Sequence, residues 1–387
     1  MKLSYCLRAV AIIALLVGVS SLALATDEGR LVRQAVEVAK QLRASDNLYD
    51  QLSAAGTLVE IGDKEALQFI TDHLASSDWI MMRSAIDTLL NVQHPTALNV
   101  LYRYVEITED KVFMKFLSES LASRPREDLA EFVFDMLDTD DGWVKKHALQ
   151  ALAETDFDNK QARMLRIAES EGEDHTSRAY AYYALMETDS SGEIASKLIE
   201  IAENWGPESQ EAAAVGLGRL NSVDSKNALR QLRDSDTYKV QVAALASEAG
   251  FGNETAIDML VRLIATGKGL DPSVAAASLR RMPPQAALKI TENLFECCKL
   301  NSDVATRLLE SWASVDADAT TVFEWGLKNK NPDIRMQAVW LVGARGEVGY
   351  VNAIAPLLDD PDSGIRAMAA WTIVRLLGDR YEKGVEA

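Results

Sequence analysis

Groups that titrate, ligate metals or attack carbonyls are scarce in this chain. It has only 4 histidines in 387 residues, namely His73, His94, His147 and His175. A helical metal site needs paired ligands at one-turn spacing, and no His-x-x-x-His or Glu-x-x-His occurs. His147 sits beside an apolar helical stretch and reads as a packed or half-exposed side chain. Neither a Gly-x-Ser-x-Gly elbow nor a well-placed Ser-x-x-Lys pair supplies a nucleophile. Gly216-Leu217-Gly218 lies inside an apolar helix, without the strand-then-helix setting that a phosphate loop requires. Carboxylates are plentiful but scattered, and the cluster Glu171, Glu173, Asp174 is explained by capping and solvation at a turn. No catalytic, cofactor-binding or metal-binding residue is nominated, and the chain reads as a non-enzyme.

Two features remain. Cys297 and Cys298 are adjacent near a helix end, without the CxxC spacing of metal or redox motifs. The plainer expectation is one buried and one partly exposed thiol, with a vicinal or an intermolecular disulfide as alternatives in an oxidising compartment. The second feature is a set of aromatics, Tyr183, Trp340 and Trp371, whose meaning depends on the elements that carry them.

Those elements repeat. Asp78 is followed by Arg83, Ala85 and Leu89, and Asp141 by Lys146, Ala148 and Leu152, at the same offsets. Asp174, Asn331 and Asp362 begin the same pattern, with Arg178, Arg335 and Arg366 one place earlier. The small core position falls at 54, 85, 117, 148, 181, 213, 243, 278, 308, 338 and 369, at intervals of 30 to 35 residues. Its register is uncertain by one residue near 243 and 278. Ahead of each marked helix lies another amphipathic stretch, such as Lys64-Glu65-Ala66-Leu67-Gln68-Phe69-Ile70, with helical apolar spacing. No segment alternates at period 2, so no strands are expected.

Each recurrent residue has a physical task. Asp or Asn at the head of the second helix caps its free N–H groups and suits the positive end of its dipole. Alanine lets neighbouring helices approach, and the basic residue is placed to bridge to an Asp of the next repeat. A lone helix pair cannot bury its apolar face, so stacking supplies the core and the terminal pairs must cap it. The fold class is all-α, an α-solenoid of about eleven antiparallel helix pairs on a period of about 31 residues.

The pattern Asp-x-x-(Val/Ile)-Arg-x-x-Ala-x-x-x-Leu resembles the HEAT-repeat family, in its short bacterial form similar to the repeats of phycobilisome lyases. Pro332-Asp333-Ile334-Arg335-Met336-Gln337-Ala338 and Asp362-Ser363-Gly364-Ile365-Arg366-Ala367-Met368-Ala369 carry it best. It covers about residues 27–377 and is degenerate where Gly206 replaces the cap Asp and Leu308 the small residue. The resemblance implies protein binding along an extended surface. It also admits an enzyme alternative, a bilin lyase-like activity, although the iron-binding His-Glu pairs of some HEAT-like hydroxylases are absent here.

In this frame the position two residues past the marked alanine points away from the core, toward the concave surface of a solenoid. Tyr183, Trp340 and Trp371 occupy it and are the expected partner-binding residues, for a protein or peptide or, as an alternative, a glycan or small ligand. The competing role for the two tryptophans is packing at the C-terminal cap. Trp79, Trp143 and Trp205, near the turns that begin the second helices, are expected to pack between repeats.

Residues 1–25 read as a secretory signal. Lys2 and Arg8 precede an apolar run from Ala9 to Leu24, and Ala23-Leu24-Ala25 gives a small-x-small cleavage site. An uncleaved anchor is the alternative. The expected domains are therefore a signal at 1–25 and one continuous array at 26–387, in a periplasmic or secreted protein. The chain carries a net charge of −18, and the signal contains two basic and no acidic residues. Nucleic acid and anionic membranes are disfavoured as partners, because their affinity rests on Lys and Arg neutralising phosphates.

Overall fold

The computed structural model describes residues 27–186, 192–266 and 271–378. The expected signal at 1–25 lies outside them. Among the described residues every regular element is a helix and no strand occurs. The first helix, α1, covers 27–43. It is followed by α2 (Leu48–Glu60), α3 (Lys64–His73), α4 (Trp79–Asn91), α5 (Pro95–Ile107), α6 (Lys111–Ser123), α7 (Ala130–Asp135) and α8 (Gly142–Ala153). Next come α9 (Lys160–Glu169), α10 (His175–Ala184), α11 (Glu193–Asn204), α12 (Pro207–Leu217), α13 (Val223–Arg233), α14 (Tyr238–Gly250) and α15 (Glu254–Thr266). The last are α16 (Pro272–Ala277), α17 (Pro284–Cys297), α18 (Ser302–Ser311), α19 (Thr320–Leu327), α20 (Pro332–Ala344), α21 (Val351–Ile354) and α22 (Ser363–Leu377).

Helix starts follow the chemistry of the repeat. Asp78, Asp110, Asp141, Asp174 and Asp362 each accept first-turn backbone N–H bonds through their carboxylates. Asn331 does the same toward Asp333 N at 2.8 Å. Asn47, Asp271 and Asn301 cap equivalent helices. The marked core position falls seven residues after each of these caps, and Ala54, Ala85, Ala148, Ala181, Ala213, Ala338 and Ala369 there are all fully buried. Counted from Thr237, which precedes α14, the marker belongs to Ala244 rather than 243. At 278 the α-helix tightens to a 3₁₀ turn over Ser278–Arg281, and burial passes to Ala275 and Ala276.

Helix ends use a different device. Gly62 and Gly252 take φ of 83° and 79°, the left-handed conformation that closes a Schellman turn. The following N–H then reaches back to Leu58 O and Glu248 O.

The basic residue of the repeat corrects the expected bridges. Lys115 reaches the next unit's capping residue, Asp141, at 3.5 Å, and Lys146 reaches Glu211 of another pair at 3.7 Å. Arg178 Nε instead donates to Ala168 O at 3.0 Å, Arg335 to Asn329 O at 3.0 Å and Arg366 to Asp360 O at 2.8 Å. These carbonyls close the preceding helix, whose last C=O groups have no intrahelical partner. The guanidinium thus ties together the two helices of one pair.

The chain divides into two compact units, one made of residues 1–101 with 339–387 and the other of 102–338. Within the second unit, α6 packs on α8, α8 on α10, α10 on α12, and α12 on α14. Further along, α16 packs on α18. The first helix of each pair covers this row, as α9 does on α10 and α11 on α12. Within the first unit α2 packs on α4, and α22 packs against α2. The apolar face of the N-terminal pair is therefore covered by the last helix of the chain, where separate terminal caps were expected.

Candidate functional site

In the second unit the position two residues past the marker does turn inward, but that face is occupied. Arg280 and Arg281, at the end of the 3₁₀ turn, reach residues more than a hundred positions earlier in the chain. Arg280 donates to Ser123 O at 2.6 Å and to Glu154 Oε1 at 3.4 Å, and Arg281 Nε meets the same oxygen at 2.5 Å. With its amide oxygen turned toward them, Gln150 accepts from Arg281 and, at 3.2 Å, from Arg280. Arg124 lies 3.7 Å from Glu310. Tyr183 is 1% exposed, and its hydroxyl accepts from Arg219 at 3.1 Å. Gln150, Tyr183 and Glu310 all hold the inward-facing position, so the periodicity was read correctly and the open groove was not.

Burial sets the electrostatics of this cluster. It pushes the Glu154 carboxyl up, but Arg280 and Arg281 outweigh it and hold the group below its ordinary range. Arg281 is held above its ordinary value, because the neighbouring Glu154 more than offsets burial. Burial lifts the Tyr183 phenol. A charged group can be buried here only because each is paired.

Trp340 and Trp371, each 6% exposed, are buried in the first unit. Trp340 Nε1 donates to Asn91 Oδ1 at 3.4 Å. Trp371 packs over Gly343, where an added Cβ would come within 2.8 Å of the indole. Its indole hydrogen-bonds Glu60, and the Arg375 guanidinium lies 5.1 Å from its ring. Arg375 in turn donates to Asn91 O and Gly343 O, each at 2.9 Å. Burial raises the Glu60 carboxyl above its ordinary value, against the Gln93 N–H and Arg375. The structure thus brings the two tryptophans together, at the junction of the chain ends. The expectation that all three aromatics are exposed for a partner is corrected.

Exposed large apolar groups lie elsewhere: several sit on the turns that join the two helices of a pair, while Val223, 74% exposed, and Val348 sit on turns between pairs. In the second unit Ile107, at the end of α5, is 79% exposed, Val112 on the first turn of α6 is exposed, and Trp143 on the first turn of α8 is 46% exposed. Trp143 Nε1 donates to Glu119 at 3.1 Å, and its ring lies 4.8 Å from that of His147. On the next turn His175 stacks on Trp205 at 4.4 Å. Trp79 is likewise exposed in the first unit. Trp143 thus touches the preceding repeat, as expected, but neither it nor Trp79 is buried there. A signal was present in the sequence: both follow a capping Asp within two residues, on the first turn of a helix at the edge of the array.

Three of the four histidines make local contacts. His73 Nδ1 bonds Phe69 O and His147 Nδ1 bonds Trp143 O, both at 2.8 Å, while His94 meets Thr96 Oγ1 at 2.7 Å. Among the described residues no group of three or more His, Cys, Asp or Glu could hold a metal ion. Cys297 and Cys298 are joined by a disulfide, with Cys297 exposed and Cys298 half-buried. That overturns the expected pair of free thiols. Cys298 lines a cleft of about 980 Å³ walled by the ends of α17, α19 and the start of α20.

The array of paired helices fits a HEAT-like repeat fold. No family model matches the chain, and no curated protein does either. Two solved structures align along it at a TM-score of 0.27 each. One is an engineered protein, 17% identical, covering 92% of this chain and 99% of its own. The other is a tubulin-recruiting microtubule polymerase with arrays of tumor-overexpressed-gene domains, 12% identical, covering 89% and 96%. At that distance neither likeness carries an argument about this chain.

Proposed function

We propose that this chain is an exported, non-enzymatic scaffold that binds a protein or peptide. Its contact surface is the turn edge of the second unit, around Ile107, Val112 and Trp143. One observation carries the reading. Large apolar side chains recur, exposed, on successive turns, while the aromatics of the inward face are buried. Exposed aromatic and aliphatic anchors in an otherwise polar surround are the usual core of a protein contact.

The surround specifies the partner's chemistry. The same turns carry Glu109, Asp138, Asp140 and Glu171, beside Asp141 and Glu173, which pair with Lys115 and Lys145, so the fitting segment combines apolar side chains with Lys or Arg. Charge complementarity of this kind speeds encounter and weakens as salt rises. Export rests on the signal pattern of residues 1–25.

The test is capture of partners from the envelope fraction by the chain and by an Ile107→Ser/Trp143→Ala variant. Loss of a captured protein at low salt in the variant, with Tm unchanged, is expected. The same proteins captured by both chains would discard this surface.

A further inference from the structure

The acidic balance of the chain is reversed at the cleft beside Cys298. Lys299, Lys328 and Lys330 line it, and Glu324 is the single carboxylate among its lining residues. Lys328 pairs with Glu324 at 3.0 Å. Trp325, stacked on Phe295 at 4.2 Å with the planes 8° apart, supplies a flat apolar wall. Cys298, joined by a disulfide to the exposed Cys297, lines the same cleft.

Each part has a consequence. Disulfides exchange when a thiolate attacks one sulfur and expels the other, and exposed ones are the labile, reactive class. Cations beside a disulfide favour thiolates over thiols and draw anionic reagents. A cleft holds the rest of the reagent while its sulfur reacts. A chain of net charge −18 otherwise repels such a reagent, so a cationic cleft at this one disulfide selects for negative charge.

We propose that Cys297–Cys298 is a redox-active disulfide whose cleft accepts a carboxylate-bearing thiol as its reductant. The thiol's carboxylates lie among the ammonium groups of Lys299, Lys328 and Lys330. Its thiolate attacks Cys298 Sγ, the sulfur of the residue that lines the cleft. A bond forms between the two sulfurs, the Cys297–Cys298 bond breaks, and the electron pair leaves on the exposed Cys297 Sγ, which takes a proton from water. A second thiolate of the same class then attacks the reagent sulfur of the mixed disulfide. Cys298 leaves, is protonated, and the reagent departs as a symmetrical disulfide. Two thiols are oxidised to one disulfide, and the protein's disulfide is reduced to two thiols.

The experiment uses the full chain and three thiols at equal thiolate concentration: reduced glutathione (anionic), 2-mercaptoethanol (neutral) and cysteamine (cationic). Reactions are quenched with iodoacetamide and mapped by tandem mass spectrometry. The expected product carries glutathione on Cys298 and the alkyl group on Cys297. It forms about tenfold faster with glutathione than with cysteamine at low salt, the lower end of electrostatic steering. That preference vanishes at high salt and in a Lys299→Ala/Lys328→Ala/Lys330→Ala variant. Cysteamine reacting faster, as net charge alone requires, would overturn the proposal, as would adducts confined to Cys297 or a ranking indifferent to salt. If the triple variant fails to fold, thiol ranking and salt dependence in the unaltered chain decide the matter.

Discussion

Glu154 is the residue on which most of the second unit's interior charge converges. It faces two guanidinium groups, and neither Arg280 nor Arg281 has a second carboxylate at hydrogen-bond distance. Removing one partner of a buried ion pair leaves the other charge uncompensated, which costs about 3 kcal/mol or more. Glu154→Gln is therefore expected to lower the unfolding free energy, measured by urea denaturation, by that amount. Replacing Glu154, Arg280 and Arg281 together by apolar residues should recover much of it. A change below about 0.5 kcal/mol, the scale of an ordinary surface substitution, would show that the cluster is solvated and not structural. The sign of the pH dependence follows from the lowered carboxyl. Its contribution is full above the unfolded value near 4.5 and is lost as pH falls through the lower folded value. Glu60 has the opposite sign. Raised by burial, it contributes fully below 4.5 and loses that contribution as pH rises through its folded value. Acid titration of Glu60→Gln and Glu154→Gln, followed by circular dichroism, should thus move stability in opposite directions. None of this was legible in the sequence, because the groups that meet at Glu154 stand 126 and 127 positions away.

At the scale of the element the sequence said much more. Caps, marker alanines and amphipathic faces all depend on neighbours within one helix pair, and these were read from periodicity alone. A well-matched pair shows why small residues recur. Where α19 meets α20, Gly326 faces Ala338, and a Cβ on Gly326 would fall 2.5 Å from the alanine Cβ. Neither is a flexible side-chain end that can swing aside, so the helices must separate. Gly326→Ala is expected to destabilise the chain by about 1–3 kcal/mol, the usual cost of overpacking, seen as a lower Tm. An unchanged Tm would mean that α19 slides without loss. What periodicity could not supply was the partner of each basic residue. Arg178, Arg335 and Arg366 sit at equal offsets whether they close their own helix pair or bridge two pairs, and only packing chooses.

For the whole molecule, the notable feature is that the first unit is built from both ends of the chain. The last helix covers α2, and Trp371 and Arg375 fasten it there. The α1–α2 pair therefore has no complete apolar cover until α22 has been synthesised, and domains completed late leave apolar surface exposed meanwhile. Deleting residues 363–387 should remove hydrogen-exchange protection from Leu48–Glu60 while leaving His175–Ala184 protected. Equal protection in both helices after the deletion would show that α2 does not need its C-terminal cover. The aromatic signal of Trp340 and Trp371 thus had a cause, but it was the fastening of the ends and not a partner.

What the sequence determined by itself is everything local. It set the helical repeat, the caps and the residues of the core, because such features depend on contacts within about thirty neighbouring positions. What only the tertiary structure decided is which faces stay open. The small rotation from each pair to the next is not encoded at any one residue. Packing inside the second unit brings Arg280 to Glu154, and inside the first it brings α22 to α2, and both bury aromatics that the periodicity had placed at the surface.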